Sequence, residues 1–204
     1  GFDGIIAACG NYIEMDGKVI YENNLSADMV QKVIRVLSEC KMPVVLEGST
    51  DYWIDDEGFE DDPYVDYLFE SLGEHAHIIR GYDGEIRINK FSADVIDGTD
   101  YERVKTEFAD DFLILEHVEN VVEFVPKGTS KATGIKWLCN HLDIPLDETY
   151  AIGDSVNDLE MLESVGHGIA MGNSMPPAKE IAEYVTSDIS DDGVKNALKH
   201  YGLI

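Results

Sequence analysis

Asp154, Asn157 and Asp158 in the second half of the chain, with Lys131 at the start of the preceding helical segment, have the types and spacing of a metal-site layout. Thr149-Tyr150-Ala151-Ile152-Gly153 reads as a short apolar strand that stops on Asp154. A tight turn follows, and Asp158 stands where a helix with Leu159, Met161 and Leu162 on its apolar side begins. In an open α/β sheet, ligands sit beyond the carboxyl ends of the strands, so the spacing predicts Asp154 in the crevice and Asp158 reaching it from the first helical turn. Hard carboxylate and amide oxygens in that arrangement suit Mg²⁺ better than a soft metal. Taken singly, an acid after a strand is an ordinary turn residue, and an Asn or Asp at a helix start is an ordinary cap. Gly-Asp-x-x-Asn-Asp with a lysine opening the preceding helix is more than turn chemistry requires. A cation in the first turn of a helix gains nothing from the helix dipole, so Lys131 calls for another reason to be there.

The elements that must position these residues follow from pattern. Gly4 to Ala8 is a continuous apolar run, which predicts a buried strand of a parallel sheet. Tyr12 to Met15 and Lys18 to Tyr21, joined by Asp16-Gly17, predict a hairpin. Ser26 caps a helix with Met29, Val30, Val33, Ile34, Val36 and Leu37 on one side. Strands are expected at Pro43 to Glu47, Tyr52 to Ile54, Glu85 to Phe91, Phe112 to Leu115 and Val121 to Val125, and helices at Pro63 to Leu72 and Tyr101 to Phe108. Strands and helices without strict alternation indicate an α+β domain over residues 23–123, with hinges near Asn23 and Pro126. Beyond it the pattern is regular βα. Ser130 caps a helix whose apolar side includes Ile135, Leu138 and Leu142. The central motif comes next, then a strand at Gly168 to Met171, a helix near Pro177 to Ala182 and a last helix from Asp191. Residues 1–22 and 124–204 read as part of a doubly wound α/β core.

Composition excludes several function classes. Against 41 acidic residues there are 15 basic ones, a net charge of -26 that repels a nucleic-acid backbone. The same charge resists an anionic ligand, which would need local compensation from a metal ion, a nearby cation or helix N-termini. No apolar run approaches the roughly 18 residues of a membrane span and no basic-then-apolar leader opens the chain, which predicts a cytoplasmic protein. Cys9, Cys40 and Cys139, odd in number and widely spaced, suggest buried reduced thiols.

Lys127-Gly128-Thr129-Ser130-Lys131-Ala132, the Gly153 to Asp158 motif, Gly168-Ile169-Ala170-Met171-Gly172-Asn173-Ser174 and Asp192-Gly193-Val194 together resemble the C-terminal part of the Cof-type (type IIB) haloacid dehalogenase superfamily of phosphatases. Residues 1–123 resemble, more faintly, a core strand and hairpin leading into that family's inserted cap domain. Cys9-Gly10-Asn11 departs from the Asn-Gly-Ala that relatives usually carry. The resemblance implies a Rossmann-type core with an α+β cap, Mg²⁺ as cofactor, and hydrolysis of small phosphorylated metabolites, sugar phosphates first, through an aspartyl phosphate. It implies Asp154 and Asp158 as metal ligands, Lys131 and Asn157 as phosphate-binding residues, and Lys131 and Asp158 in the catalytic machinery. The alternatives are a sugar phosphomutase and a non-catalytic module that binds a phosphorylated ligand.

The resemblance also implies a nucleophile motif Asp-x-Asp-Gly-Thr, and no Asp-x-Asp occurs in the sequence. Asp94 to Thr99 imitates it with acids three apart, inside the presumed cap. The expectation is a core incomplete at its N-terminus, short of about 50 to 80 residues on the scale of one or two βα units. Such a chain is inactive alone, and a homodimer could cover its open strand edges. Two other features stand apart from this chemistry. The acidic run from Asp51 to Asp62 lacks the spacing of a calcium loop and reads as solvated, and His75 with His77 lacks a third ligand for a metal. Tyr52, Trp53, Phe59 and Tyr64 are expected in the cap core or at a substrate entrance.

Overall fold

The computed structural model describes residues 2–55, 63–117 and 120–204, and for residues 63 and 64 the backbone only. The chain divides into two compact units, one of residues Gly1–Ile20 with Thr129–Ile204 and the other of Tyr21–Gly128.

The second unit is a six-stranded sheet with helices on both faces. Its elements are α1 (Ala27–Glu39), β4 (Val44–Glu47), β5 (Tyr52–Ile54), α2 (Pro63–Leu72), β6 (Ala76–Ile78), β7 (Lys90–Asp94), α3 (Tyr101–Phe108), β8 (Phe112–Glu116) and β9 (Val121–Pro126). The strand order is β6-β5-β4-β7-β9-β8, antiparallel except for the β5–β6 pair. Alternation of side chains assigns the faces. Leu46, Trp53, Phe91 and Phe124 pack with Val33, Leu37, Val104 and Phe108 of α1 and α3. Val45 and Ile54, one residue out of step, pack under Val65 and Leu68 of α2. Ser26 caps α1 by accepting from the Met29 amide at 3.2 Å, and Asp100 caps α3 through the Arg103 amide. Phe91 faces Phe124 across the β7–β9 ladder with ring centroids 4.5 Å apart, and Phe108 and Phe112 close on this pair edge-on.

Sequence pattern and structure part in this unit over residues 85–89. The expected strand starts only at Lys90, because the Ile88 carbonyl accepts from Leu25 and the Asn89 side-chain amide donates to the Asn23 carbonyl, tying the segment to the entry of α1. Asp94 to Thr99 is a turn closed by the Thr99 hydroxyl, which donates to the Lys41 carbonyl at 2.9 Å. His75 and His77 converge on one Asp51 oxygen, at 3.4 and 2.8 Å, and His77 packs on Trp53 and Tyr82. Trp53 is buried in the core. Residues 56–62, which hold most of the acidic run and Phe59, lie outside the described residues, as does the side chain of Tyr64.

The first unit carries β1 (Gly4–Ala7), β2 (Tyr12–Met15) and β3 (Lys18–Glu22) as an antiparallel sheet, and β10 (Tyr150–Gly153), β11 (His167–Ala170) and β12 (Tyr184–Val185) as a parallel one. Asp16 and Gly17, at φ 51° and 71°, form the primed turn of the β2–β3 hairpin. The helices are α4 (Lys131–Leu142), α5 (Leu159–Ser164), α6 (Pro176–Ile181) and α7 (Gly193–His200). α4 packs against β1, β2 and α5. Two expectations are corrected. β1 pairs antiparallel with β2 rather than lying in the parallel sheet, and Ile5 is exposed because, among the described residues, no strand borders its other edge. The helix after Ser130 buries Ala132, Gly134 and Cys139 rather than Ile135, Leu138 and Leu142, since close approach to the hairpin favours its small residues. Among the described residues no helix is long and apolar enough to cross a membrane. Cys40 and Cys139 are buried free thiols and Cys9 is half-buried, with burial pushing the first two thiols up from their ordinary pKa.

The aromatic cluster sets a test of this packing. Phe124→Ala should cost about 3 to 5 kcal/mol in urea unfolding, the range for removing a fully buried aromatic ring. Leu113→Ala, on a half-exposed side chain of the neighbouring strand, should stay within about 0.5 kcal/mol.

Candidate active site

β10 ends at Gly153, at the carboxyl edge of the parallel sheet, and the chain then turns through Asp154 and Ser155 into a 3-10 turn at Val156–Asp158 before α5. The turn folds the Asp158 side chain back over the end of β10. That approach requires glycine at 153, where a Cβ would stand 2.7 Å from the Cβ of Asp158. One carboxylate oxygen of Asp158, Oδ2, accepts from the backbone amides of Asp154 at 3.0 Å and Ser155 at 3.2 Å. The other, Oδ1, lies 2.5 Å from Lys131 Nζ. Lys131 Nζ also stands 3.4 Å from Asn157 Oδ1, which accepts from the Ser155 hydroxyl. Asp158 is 4% exposed, so its charge is held by these donors rather than by water.

Lys131 reaches this point because Ser130 starts α4 with a reciprocal cap. The Thr133 amide donates to Ser130 Oγ at 3.3 Å and the Ser130 amide donates to Thr133 Oγ1 at 2.8 Å. The helix start is thereby fixed one residue before the lysine. Asp154 differs from its neighbour: its main-chain carbonyl accepts from the Met175 amide at 3.0 Å, while its carboxylate is exposed beyond the strand.

The structure therefore brings Lys131, Asn157 and Asp158 into one hydrogen-bonded group and sets Asp154 at its edge. Sequence reasoning passed over Ser155 and Gly153, although both stand inside the motif. Their signal was the need for an amide and a missing side chain where the Asp158 carboxylate folds back. The later motifs hold loops rather than join the group. Asn173 Oδ1 accepts from the Ile189 amide at 3.1 Å, Lys179 Nζ donates to the Gly172 carbonyl at 2.5 Å, and Asp192 pairs with Lys195 at 3.2 Å.

Two opposing effects act on Asp158. Burial acts to raise the Asp158 carboxyl, but the Lys131 ammonium and the amides of Asp154 and Ser155 outweigh it and hold the group below its ordinary value. Among the described residues no three His, Cys, Asp or Glu side chains are spaced to hold a metal ion. Both Asp158 oxygens are turned to N–H donors, so the free hard oxygens of the motif are those of Asp154.

A sequence model of the haloacid dehalogenase-like hydrolases matches residues 1–198. The chain belongs to this family. YkrA of Bacillus subtilis is 30% identical over the whole chain, which spans 77% of YkrA. Phosphatase YwpJ of Bacillus subtilis is 42% identical over 46% of the chain and 33% of its own length. A crystal structure from Geobacillus kaustophilus superposes over 100% of the chain and 78% of its own, with a TM-score of 0.84 and 26% identity. The fold is also that of the HAD subclass IIB sugar phosphatase BT4131, at a TM-score of 0.71 and 23% identity over 100% of this chain and 77% of that one.

The lowered Asp158 carboxyl makes a stability prediction with a definite sign. Its contribution is fully present above the ordinary value of 3.8 and is lost as pH falls through the lowered value. Asp158→Asn should cost about 2 kcal/mol near neutral pH, because Lys131 and two amides lose a charged acceptor. Urea unfolding of both proteins across the acid range checks this. The difference between them should stay constant at neutral pH and shrink towards zero once the wild-type carboxyl is protonated.

Proposed function

We propose that the protein is a phosphatase that hydrolyses small phosphorylated metabolites, with sugar phosphates as the leading class. The observation that carries this reading is the Lys131–Asp158 pair at 2.5 Å beside the exposed Asp154 carboxylate, at the carboxyl end of a parallel strand. A lysine held there by a buried carboxylate is a fixed cation for phosphoryl oxygens, in a chain whose net charge of -26 otherwise repels them. The names of relatives support the substrate class. YitU of Bacillus subtilis, named a 5-amino-6-(5-phospho-D-ribitylamino)uracil phosphatase, is 40% identical over 40% of this chain.

In this reading Lys131 binds and orients the phosphoryl group and balances the charge that spreads over its oxygens. Asn157 places a side-chain amide beside it, and Asp158 keeps the lysine and the turn amides in position, tying the catalytic machinery to the end of β10. Asp154 is the residue that would hold Mg²⁺. Its carboxylate is a fitting hard donor but fills only part of a shell of about six oxygens, the rest coming from water, substrate and groups beyond this motif. When bound, the ion would polarise the phosphoryl group and offset its charge. Asp158, with both oxygens engaged, is assigned to positioning rather than to the metal.

The nucleophile in this reading is an Asp on a further strand that pairs with β10, which among the described residues is paired with β11 alone. It attacks phosphorus as the bond from phosphorus to the ester oxygen breaks, the second Asp of that Asp-x-Asp protonating the departing alcohol; water, giving a proton to the same Asp, then cleaves the aspartyl phosphate to inorganic phosphate and the free carboxylate. In this reading the α+β domain of residues 23–123 is the cap that selects substrates. The 204-residue chain then needs that strand, supplied by additional sequence or a second subunit, before it turns over.

The test is Mg²⁺-dependent release of phosphate from an aryl phosphate and a panel of sugar phosphates, with Asp154→Asn and Lys131→Met as controls. The chain alone should release none. Joined to an upstream segment bearing Asp-x-Asp, it should do so at a rate that either substitution lowers by at least about a hundredfold, the scale for removing a transition-state charge partner. Metal-dependent turnover by the chain alone would overturn the need for an added strand, and rates indifferent to both substitutions would overturn the site.

A further inference from the structure

The chain makes a left-handed turn directly after β1. Ala8, Cys9 and Gly10 have φ of 49°, 52° and 85°, three consecutive residues in the region that only glycine enters without cost. Such conformations persist where the surrounding structure over-determines them. Asn11, fully buried, holds the turn from behind: its backbone amide and its side-chain amide both donate to the Ala8 carbonyl at 3.0 Å.

What the turn is pressed against is the start of α4. A Cβ on Gly10 would lie 2.1 Å from the carbonyl oxygen of Ser130 and 3.0 Å from the amide of Gly134. The contact is reciprocal, since a Cβ on Gly134 would lie 2.8 Å from Gly10 Cα and from the Ile6 side chain. Two glycines thus bring the backbone of the turn onto the backbone of the first helical turn with nothing between them. The contact falls at the N-cap residue, immediately before Lys131. Lys131, whose Nζ lies 2.5 Å from Asp158 Oδ1, leaves the helix one residue after the backbone position on which the turn is pressed.

We infer that the left-handed turn Ala8–Gly10 is the positioning device for the phosphate-binding lysine, with Gly10 and Gly134 as positioning residues that set where α4 begins and how far Lys131 reaches. This rests on the reading of Lys131 as the phosphate contact. It explains why an alanine and a cysteine are kept in a conformation that disfavours both: the turn is shaped by the backbone it must meet. It also gives the hairpin of residues 2–20 a role in the site through its backbone.

The experiment is competitive lysine acetylation of the folded protein, with the rates at Lys131 and Lys136 read by mass spectrometry. Both residues are on α4, so their ratio cancels global unfolding, and only Lys131 is held by Asp158. Gly10→Ala should raise the Lys131 to Lys136 ratio severalfold; Gly134→Ala should do the same and serves where the first variant does not fold. Cys9→Gly relieves the backbone without altering the contact and should leave the ratio at the wild-type value. Ala197→Gly, in α7, is the control for destabilisation and should also leave it unchanged. Glycine variants that lose melting temperature but keep the wild-type ratio would overturn the inference, as would a ratio raised equally by Ala197→Gly. Because this readout involves no phosphate ester, a failed phosphatase assay with a responding ratio would count against the proposed activity alone.

Discussion

The buried carboxylate of Asp158 is the interaction on which the candidate site depends. At 4% exposure it cannot rely on water, so each of its oxygens must face a donor. The amides of Asp154 and Ser155 satisfy one and the Lys131 ammonium the other. A single side chain therefore closes the turn after β10, fixes the direction in which Asp154 leaves the strand, and draws the lysine of another helix to the same point. Burial alone would raise its pKa. The donors outweigh that and hold the group below its ordinary value, so an anion stands beside the lysine at neutral pH.

The same site shows how steric constraint and electrostatics divide the work. Gly153 has no side chain where Asp158 folds back, Gly10 has none where the hairpin meets the start of α4, and Gly134 has none on the helix side of that contact. These glycines set distances. The capping box of Ser130 and Thr133 then satisfies amides at the helix start, so that the lysine beside it is free to turn to Asp158. The match to the haloacid dehalogenase-like hydrolases takes in both the hairpin and the strand–turn–helix after β10, since it runs over residues 1–198.

Much of this was legible in the sequence because it rests on local rules. The Asp16-Gly17 hairpin, the Ser26 and Ser130 caps and the helix Tyr101–Phe108 all depend on residues within a few positions of one another. The strand expected over residues 85–89 failed for the opposite reason: Ile86 and Ile88 alternate with polar residues, but the Ile88 carbonyl accepts from Leu25 and the Asn89 side-chain amide donates to Asn23, more than sixty positions away. The apolar run Gly4 to Ala8 was read as buried in a parallel sheet, yet its partner is the hairpin strand Tyr12–Met15, which no periodicity could announce. His75 and His77 lacked a third group in the sequence and found Asp51 in the fold.

The sequence by itself determined which residues could do chemistry here, because Gly153 to Asp158 combines a strand end, a turn and a helix start whose geometry is set within six positions. It also determined the sign of the chain's bulk charge, since a net charge of -26 is a sum over residues and needs no fold. Only the tertiary structure decided how the two acids differ. Spacing treats Asp154 and Asp158 alike as metal ligands, whereas packing buries one among N–H donors and leaves the other's oxygens open. That distinction depends on where α4 stands relative to β10, which brings together Lys131 and Asp158, 27 positions apart, and which the backbone contacts of Gly10 and Gly134 help to set.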